Sequence, residues 1–586
     1  IRNRTMYRFF PFLSWLPELR DRTVWVADVT AGITVAMVLI PQAMAYAELA
    51  GLPAVYGLYA AFLPPAVAAL FGSSRQLATG TVATAALISA AAVGPLAPIG
   101  SEAFIEYSLL LACMVGVIRL IMGVLKLGFL ANLLSAPVVV GFTNAAALII
   151  ATSQLHKVFG VREEHGDSHM YNVWREVSNA PYEGHLPTVG MACLAGVLLV
   201  VFKRLFPRLP NVLIAVAITS LVAWFGGYTG SMVGAIPSGL PSLHVPSFDM
   251  HILIDLMPGA MTLVLIGLME VMAIAKTMAM QTRERIDINQ ELIGQGLANI
   301  VAGFSQSYTV SGSFSRSAIN HVSGAKTGFS SVVTSAVVTV TLLWLTPLFY
   351  YLPQATLALI IIVSVANLIR FAPLWHAWKI SRQDGMIGVL TFITTFVFSP
   401  DLHWGIALGM GLSLAANFYR TMRPNVAFLS RHLDGTLRDA GANQLRADQE
   451  IAIMRFDGRL YFGSSSYFED CVLEATARAD KLRFLVVDAE GINQIDASGE
   501  QVLRGIVEQL RAAGVDVYFT RAKPPLVEAL ERSKVIDYIG RDHFFRWNQH
   551  ALEYLWARLE PDYKARCPLN MPHPKARSSA ADEYYI

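Results

Sequence analysis

The chain has 586 residues, of which 54% are hydrophobic and only 15% charged, and its formal net charge is +2. That is far more apolar surface than one soluble core can hide, which excludes an ordinary cytosolic globular protein and places the chain in a bilayer. Four cysteines, Cys113, Cys193, Cys471 and Cys567, stand without CxxC or metal-ligand spacing, which excludes a disulfide framework and a zinc site.

No short h-region with a cleavage site follows Ile1. The start therefore reads as trimmed, with the first span retained and no processed secretory leader. A cytoplasmic segment over 1–24 precedes a transmembrane region over 25–422. Within it the apolar pattern gives about fourteen spans, several shorter than the ~20-residue standard. They run over 26–46, 55–72, 79–94, 104–126, 129–153, 187–204, 210–227, 257–279, 287–304, 310–320, 327–346, 350–368, 384–399 and 403–420. With a cytoplasmic N-terminus, Arg75, Lys126, Lys203, Arg204, Arg208, Lys276, Arg283, Arg285, Lys326, Arg370, Lys379 and Arg382 all fall on the inner side. The outer loops carry almost no Lys or Arg except the long one after the fifth span, with Lys157, Arg162 and Arg175. Long loops count little in such a bias, so both termini are expected in the cytoplasm.

The third and tenth spans are interrupted. They open on Thr79-Gly80-Thr81-Val82-Ala83-Thr84 and on Ser311-Gly312-Ser313-Phe314-Ser315-Arg316, each a hydroxyl residue, a glycine, a hydroxyl residue and an apolar residue leading into helix-compatible sequence. Matched breaks in two halves of a membrane protein mark an inverted-repeat transporter whose half-helices aim their N-termini at a solute. Each N-terminus offers unpaired N–H groups and about +0.5 of a charge, so two of them and Arg316 present roughly +2, close to balance for a dianion. Ser313 and Ser315 can donate hydroxyl hydrogens and Gln42 its amide. Such Gly/Ser/Thr clusters also serve close helix packing, Arg316 could be a fixed counter-ion to a carboxylate, and Gln42 could repair the backbone freed by Pro41.

Glu270, in the eighth span, has no other charged side chain from Met257 to Ala275. An ionisable residue so placed is a functional candidate. Ionised, it opposes an incoming anion by about 3 kcal/mol at ~6 Å and an effective dielectric of ~20, roughly a hundredfold in affinity. Protonation removes that opposition and couples H⁺ to anion entry; a structural salt bridge or a sodium ligand are the other readings. His321 and His403 lie near span ends without partners at metal-ligand spacing.

Beyond about Arg420 the texture turns charged: a linker over 423–447, an α/β domain over 448–560 and a Pro- and Ser-bearing tail over 561–586 expected to be disordered. Strands are expected at 451–456, 460–462, 483–488 and 515–519, with helices over 466–479 and 499–513. Asp488, Glu490, Asp496 and Ser498 form no nucleophile, base and orienter set, so no enzymatic activity and no cofactor are expected.

Leu39-Ile40-Pro41-Gln42-Ala43-Met44-Ala45-Tyr46-Ala47, Gly51-Leu52-Pro53, Tyr56-Gly57-Leu58-Tyr59, the run Asn289 to Asn299 and Ser313-Phe314-Ser315-Arg316-Ser317 together resemble the sulfate permease family of anion transporters. The soluble part, with Asp496-Ala497-Ser498-Gly499, resembles a STAS domain. The resemblance implies an α-helical polytopic protein of two inverted seven-span repeats, in which a core of spans 1–4 and 8–11 moves against a gate of spans 5–7 and 12–14. It places Gln42, Tyr46, Val82, Phe314, Ser315 and Arg316 at the family's substrate positions, to which the break motifs add Thr81 and Ser313. Val82 is smaller than the aromatic residue some animal members carry there. Ala497 stands where STAS-like antagonists carry a phosphorylated serine, so phosphoswitching is not expected, although Ser498 remains. The resemblance also implies a homodimer, and the STAS part leaves room for a cytoplasmic partner of unknown identity.

The function expected is secondary active anion transport in a cell membrane, read as a bacterial inner membrane, with sulfate taken up with protons by an elevator-like movement. Bicarbonate or C4-dicarboxylate symport, sodium coupling, and an anion channel or exchanger are the alternatives; a membrane-tethered sensor and a nucleic-acid partner are not expected.

Overall fold

The computed structural model describes residues 10–133, 135–162, 169–206, 210–366, 368–399, 402–479 and 481–570. The chain divides into two compact units, Ile1–Ser413 and Leu414–Ile586.

Every predicted span contains helix. Among the described residues seven helical stretches are long and apolar enough to cross a membrane, including Arg22–Leu49, Glu102–Val124 and Met250–Thr282. The elements that build the site are α1 (Arg22–Leu49), β1 (Thr79–Gly80), α2 (Ala83–Val93), α3 (Glu102–Val124), α4 (Met250–Thr282), α5 (Ile288–Phe304), β2 (Ser311–Gly312) and α6 (Phe314–Val322). Aspartates start three of them: Asp21 accepts from Thr23 N–H, Asp249 from His251 N–H and Asp287 from Asn289 and Gln290 N–H. Each such cap satisfies N–H groups that the first helical turn leaves without a partner.

The two breaks meet. β1 and β2 pair antiparallel, Thr79 opposite Gly312 and Gly80 opposite Ser311. Because the strands run in opposite directions, α2 and α6 leave the pair in opposite directions with their N-termini adjacent. A further helix, His169–Glu183, lies in the long loop after the fifth predicted span, where the sequence analysis placed none.

The second unit carries a six-stranded sheet ordered β4-β3-β5-β6-β7-β8, with β3 Asn425–Arg431, β4 Leu437–Asp439, β5 Ile451–Asp457, β6 Phe484–Asp488, β7 Asp516–Thr520 and β8 Phe544–Phe545. Strands β5 to β8 are parallel, and β3 is antiparallel to both its neighbours. Alternation sends Met454 and Phe456 into one core and Ile451 and Ile453 into the other.

Three expectations are corrected here. The predicted linker over 423–447 contains β3 and β4; its Arg and Asp residues, which read as solvent-facing linker, pair across the turn, as Arg438 does with Asp434. The segment 460–462 is no strand but a turn, joined by the isolated bridge Leu460 to Ile495 to the loop before the helix Ala497–Ala512. The tail is ordered through 570: Tyr563 donates to Asp448 at 2.5 Å, Cys567 donates to the other oxygen at 3.0 Å, and Arg431 Nε donates to the Leu569 carbonyl at 2.8 Å. Its buried Tyr563, Cys567 and Leu569 complete the second core, an apolar spacing that the nearby Pro and Ser mask in sequence. The rest of that predicted tail, 571–586, lies outside the described residues.

Candidate functional site

Arg316 stands in the first turn of α6 and is only 1% exposed. Its Nη2 donates to the Thr81 carbonyl of the other broken segment at 2.7 Å, while Nε has no hydrogen-bond partner. Among the described residues no carboxylate pairs with it, which removes the counter-ion reading raised by the sequence. Its guanidinium thus sits between the two half-helix starts as an uncompensated charge, a costly arrangement unless an anion answers it.

Neighbouring polar atoms are also unsatisfied. Gln42 Oε1 and Ser311 Oγ are buried without a hydrogen-bond partner, while the buried Thr81 and Tyr308 hydroxyls face each other. Such atoms are rare in folded proteins and mark a place where something else binds. Gln42 does not spend its carbonyl oxygen on the backbone near Pro41. With Tyr46 it lies on one face of α1, since i and i+4 share a face, and α1 packs against both α2 and α6. Val82 and Ser313 are the residues that precede the two half-helices, and both are buried. Ser313 Oγ accepts from Arg316 N–H at 3.5 Å and lies 3.4 Å from Ser315 Oγ. By contrast Phe314, 50% exposed, and the exposed Ser315 stand at the open side of the cluster.

Glu270 joins this site through α2. The Thr84 hydroxyl donates to Glu270 Oε1 at 3.0 Å and lies 3.3 Å from Oε2. The predicted coupling carboxyl therefore touches the broken third span one helical turn from Thr81. A cavity of about 760 Å³ opens elsewhere, lined by Glu48, His156, Lys157, His185 and Thr188 among others. It contains none of the predicted site residues, and its size alone does not make it the substrate site.

Residues that the sequence analysis did not assign hold the breaks in place. Asn299 on α5 donates to the Val310 carbonyl and accepts from the Val310 N–H, at 2.9 and 3.0 Å. Gln295 donates to Thr79 Oγ1 at 2.7 Å, and Glu291 accepts from the N–H groups of Ser73 and Ser74, both at 2.9 Å. One polar face of α5 thus braces both approaches to the site. Arg119 on α3, 2% exposed, donates to the carbonyls of Val310 and Leu263. No other charged side chain lies from Tyr107 to Leu125, so the rule that singled out Glu270 applies to Arg119 equally.

A helical membrane unit with two half-helices joined at their starts around an uncompensated arginine, followed by a separate α/β unit, defines a membrane anion transporter and not an enzyme. Residues 26–391 match the sulfate permease family and residues 443–550 the STAS domain. The chain belongs to the sulfate permease family. It is 34% identical to sulfate transporter 4.1, chloroplastic, of Arabidopsis thaliana, with 92% of this chain and 81% of that protein covered. It is 30% identical to high affinity sulfate transporter 2 of Stylosanthes hamata, with 92% and 84% covered. The structure matches that of the murine solute carrier 26 family member A9 anion transporter in the inward-facing state with a TM-score of 0.87 at 25% identity, covering 94% and 95% of the two chains. It shares its fold with the transmembrane domain of a cyanobacterial bicarbonate transporter, with a TM-score of 0.57 at 22% identity, covering 68% of this chain and 98% of that one.

Proposed function

We propose that the chain takes up sulfate together with protons. The observation that carries this reading is Arg316, buried beside two half-helix starts, with no carboxylate partner among the described residues, and bonded across the break to Thr81. Gln42, Tyr46, Thr81, Val82, Ser313, Phe314, Ser315 and Arg316 form the anion site. Backbone N–H groups and hydroxyls replace the water that an oxyanion loses on entry. Glu270 is the proton carrier: its contact with Thr84 ties its charge to the half-helix that faces the anion. Sulfate transport by the named plant relatives supports a dianion as substrate.

The core of spans 1–4 and 8–11 carries the site past the gate of spans 5–7 and 12–14, as in an elevator. Both termini lie in the cytoplasm by the distribution of Lys and Arg, and the working form is a homodimer. The membrane expected from the sequence is a bacterial inner membrane, whereas the two sulfate transporters named above are plant proteins, one of them named as chloroplastic. The STAS domain binds a cytoplasmic partner.

Purified protein in liposomes, given labelled sulfate, bicarbonate or succinate with and without imposed proton and sodium gradients, tests the whole reading. Uphill sulfate accumulation on a proton gradient is expected. Accumulation that follows sodium instead, or conduction without accumulation, would overturn the coupling, and preference for bicarbonate or succinate would overturn the substrate.

A further inference from the structure

Two buried arginines converge on the broken spans. Arg316 approaches from α6; Arg119 approaches from α3 and is 2% exposed. Arg119 Nη2 donates to the Leu263 carbonyl of α4 at 2.9 Å and Nη1 to the Val310 carbonyl at 3.2 Å, immediately before β2. Its Nε is buried without a partner. Among the described residues no carboxylate pairs with it within 4 Å.

The guanidinium lies directly against α4 because position 267 is glycine. A Cβ on Gly267 would overlap Arg119 Nη2 and would stand 3.2 Å from the Ser311 hydroxyl, itself unsatisfied. Gly267 and Glu270 are one helical turn apart on the same face of α4. The Glu270 carboxyl thus has Arg119 on one side and, through Thr84 and Thr81 of the third span, Arg316 on the other. Arg119 stands one helical turn of α4 from Glu270, and no ion pair joins the two. On the described elements packed against α4, the other carboxyl, basic and histidine side chains are Glu102 and Glu106 near the start of α3, where Glu106 bonds His244 at 2.7 Å, and His321 in the last turn of α6; α4 itself also carries His251, Asp255 and Lys276.

We propose that Arg119 is a second fixed cation of the anion site and makes that site prefer a dianion to a monoanion. This rests on the anion-site reading above. When Glu270 holds its proton, the two arginines together match the two charges of sulfate. The formal charges of the loaded site then sum to zero, which favours carrying a dianion through a low-dielectric interior. With Arg316 alone a monoanion meets a full formal charge, while the second charge of a dianion is answered only by the partial charges of the two half-helix starts. When Glu270 gives up its proton, the carboxylate cancels Arg119, and the dianion preference falls. Proton coupling and valence selection are on this account the same device, and Arg119 is a selectivity-determining, positioning residue in it.

A purely structural Arg119, stapling α3 to α4 and to the approach of β2, would weaken folding without changing which anion is preferred. The test is therefore a ratio. Binding of sulfate and of nitrate is measured on the purified full chain for the unaltered protein, R316A, R119Q and R119K. The comparison is repeated for E270Q against R119Q/E270Q, where the two opposite charges are removed together and no orphaned charge is left to unfold the protein. Loss of one unit charge at a separation of order 10 Å and an effective dielectric of ~20 costs a dianion roughly tenfold to twentyfold more than a monoanion.

The sulfate-to-nitrate preference is expected to fall by about that factor in R119Q and again between E270Q and R119Q/E270Q, with R119K retaining most of it. An unchanged ratio in the E270Q pair overturns the proposal, whatever R119Q does to folding. If R316A still binds sulfate as the unaltered protein does, the anion-site reading itself fails. If R316A loses sulfate while the ratio ignores Arg119, only the present inference fails.

Discussion

The Thr84 hydroxyl donates to the Glu270 carboxylate at 3.0 Å, binding the start of one half-helix to the only carboxyl of the middle of α4. A hydroxyl can also accept, so the bond survives protonation of Glu270 with its sense reversed. What changes is the charge beside the anion, and the geometry stays put.

Replacing Glu270 with Gln keeps that bond and fixes the neutral state. Anion binding should persist at high pH, where the unaltered protein loses it, while accumulation driven by a pH gradient disappears. Equilibrium binding between pH 5 and 8 and gradient-driven uptake in liposomes check the two halves separately. Thr84→Val removes a hydroxyl that donates to the ionised carboxyl and so favours neutral Glu270; sulfate binding should then persist to higher pH than in the unaltered protein.

Arg316 and Thr81 make opposite predictions, although they are bonded to each other. Arg316→Ala removes the charge and should abolish measurable sulfate binding. Thr81 contributes its main-chain carbonyl to the guanidinium, so Thr81→Ala leaves that bond intact and should cost no more than about tenfold. Titration calorimetry on both variants separates them; equal losses would mean that the side chains, and not the backbone at the break, form the contact.

Asn299 is the residue on which the tenth span's break depends most. It accepts from the buried Val310 N–H, shares the Val310 carbonyl with Arg119, and also donates to the Gln295 carbonyl. Asn299→Ala should destabilise the chain by about 2–4 kcal/mol. Thermal unfolding in detergent measures this, and bound sulfate should restore less of the loss than it does in variants outside the site, because β2 no longer holds its register.

Several of these relationships were legible from residue order alone. Thr79-Gly80 and Ser311-Gly312 read as matched interruptions because glycine and hydroxyl residues stand out against apolar spans, and their pairing is a direct consequence. Glu270 stood out as a candidate because no other charged side chain lies from Met257 to Ala275, and its contact with Thr84 on the broken span is what the structure adds. Arg119 carried the same signal and was passed over, since nothing in one sequence tells which neighbour an arginine on α3 meets. The bracing by Asn299, Gln295 and Glu291 was hidden for a related cause: a polar face on a helix looks the same whether it faces water or buried backbone. In the second unit, β3 sits between two strands with its charged neighbours in the turns, so composition read as linker what pairing makes part of the sheet.

Cys567 supplies a pH dependence for that unit. Burial, with the Asp448 carboxylate beside it, pushes the thiol up to about 12 from an ordinary value near 9. Below pH 9 the thiol is protonated whether the domain is folded or not, and it contributes no slope. Between 9 and about 12 the folded state keeps the proton while the unfolded state releases it, so stability must fall as pH rises through this window. Tyr563, raised by burial and by the same Asp448, acts in the same sense. Unfolding of the second unit should therefore become easier from pH 9 to 11, and Cys567→Ala should flatten part of that slope. At pH 8 alkylation of Cys567, followed by peptide mass spectrometry, should be far slower than in the denatured chain. Removing residues 561–586 takes away both side-chain partners of Asp448, leaving only the N–H groups of Glu450 and Ile451, and should lower the unit's melting temperature, whereas a tail without contacts would leave it unchanged.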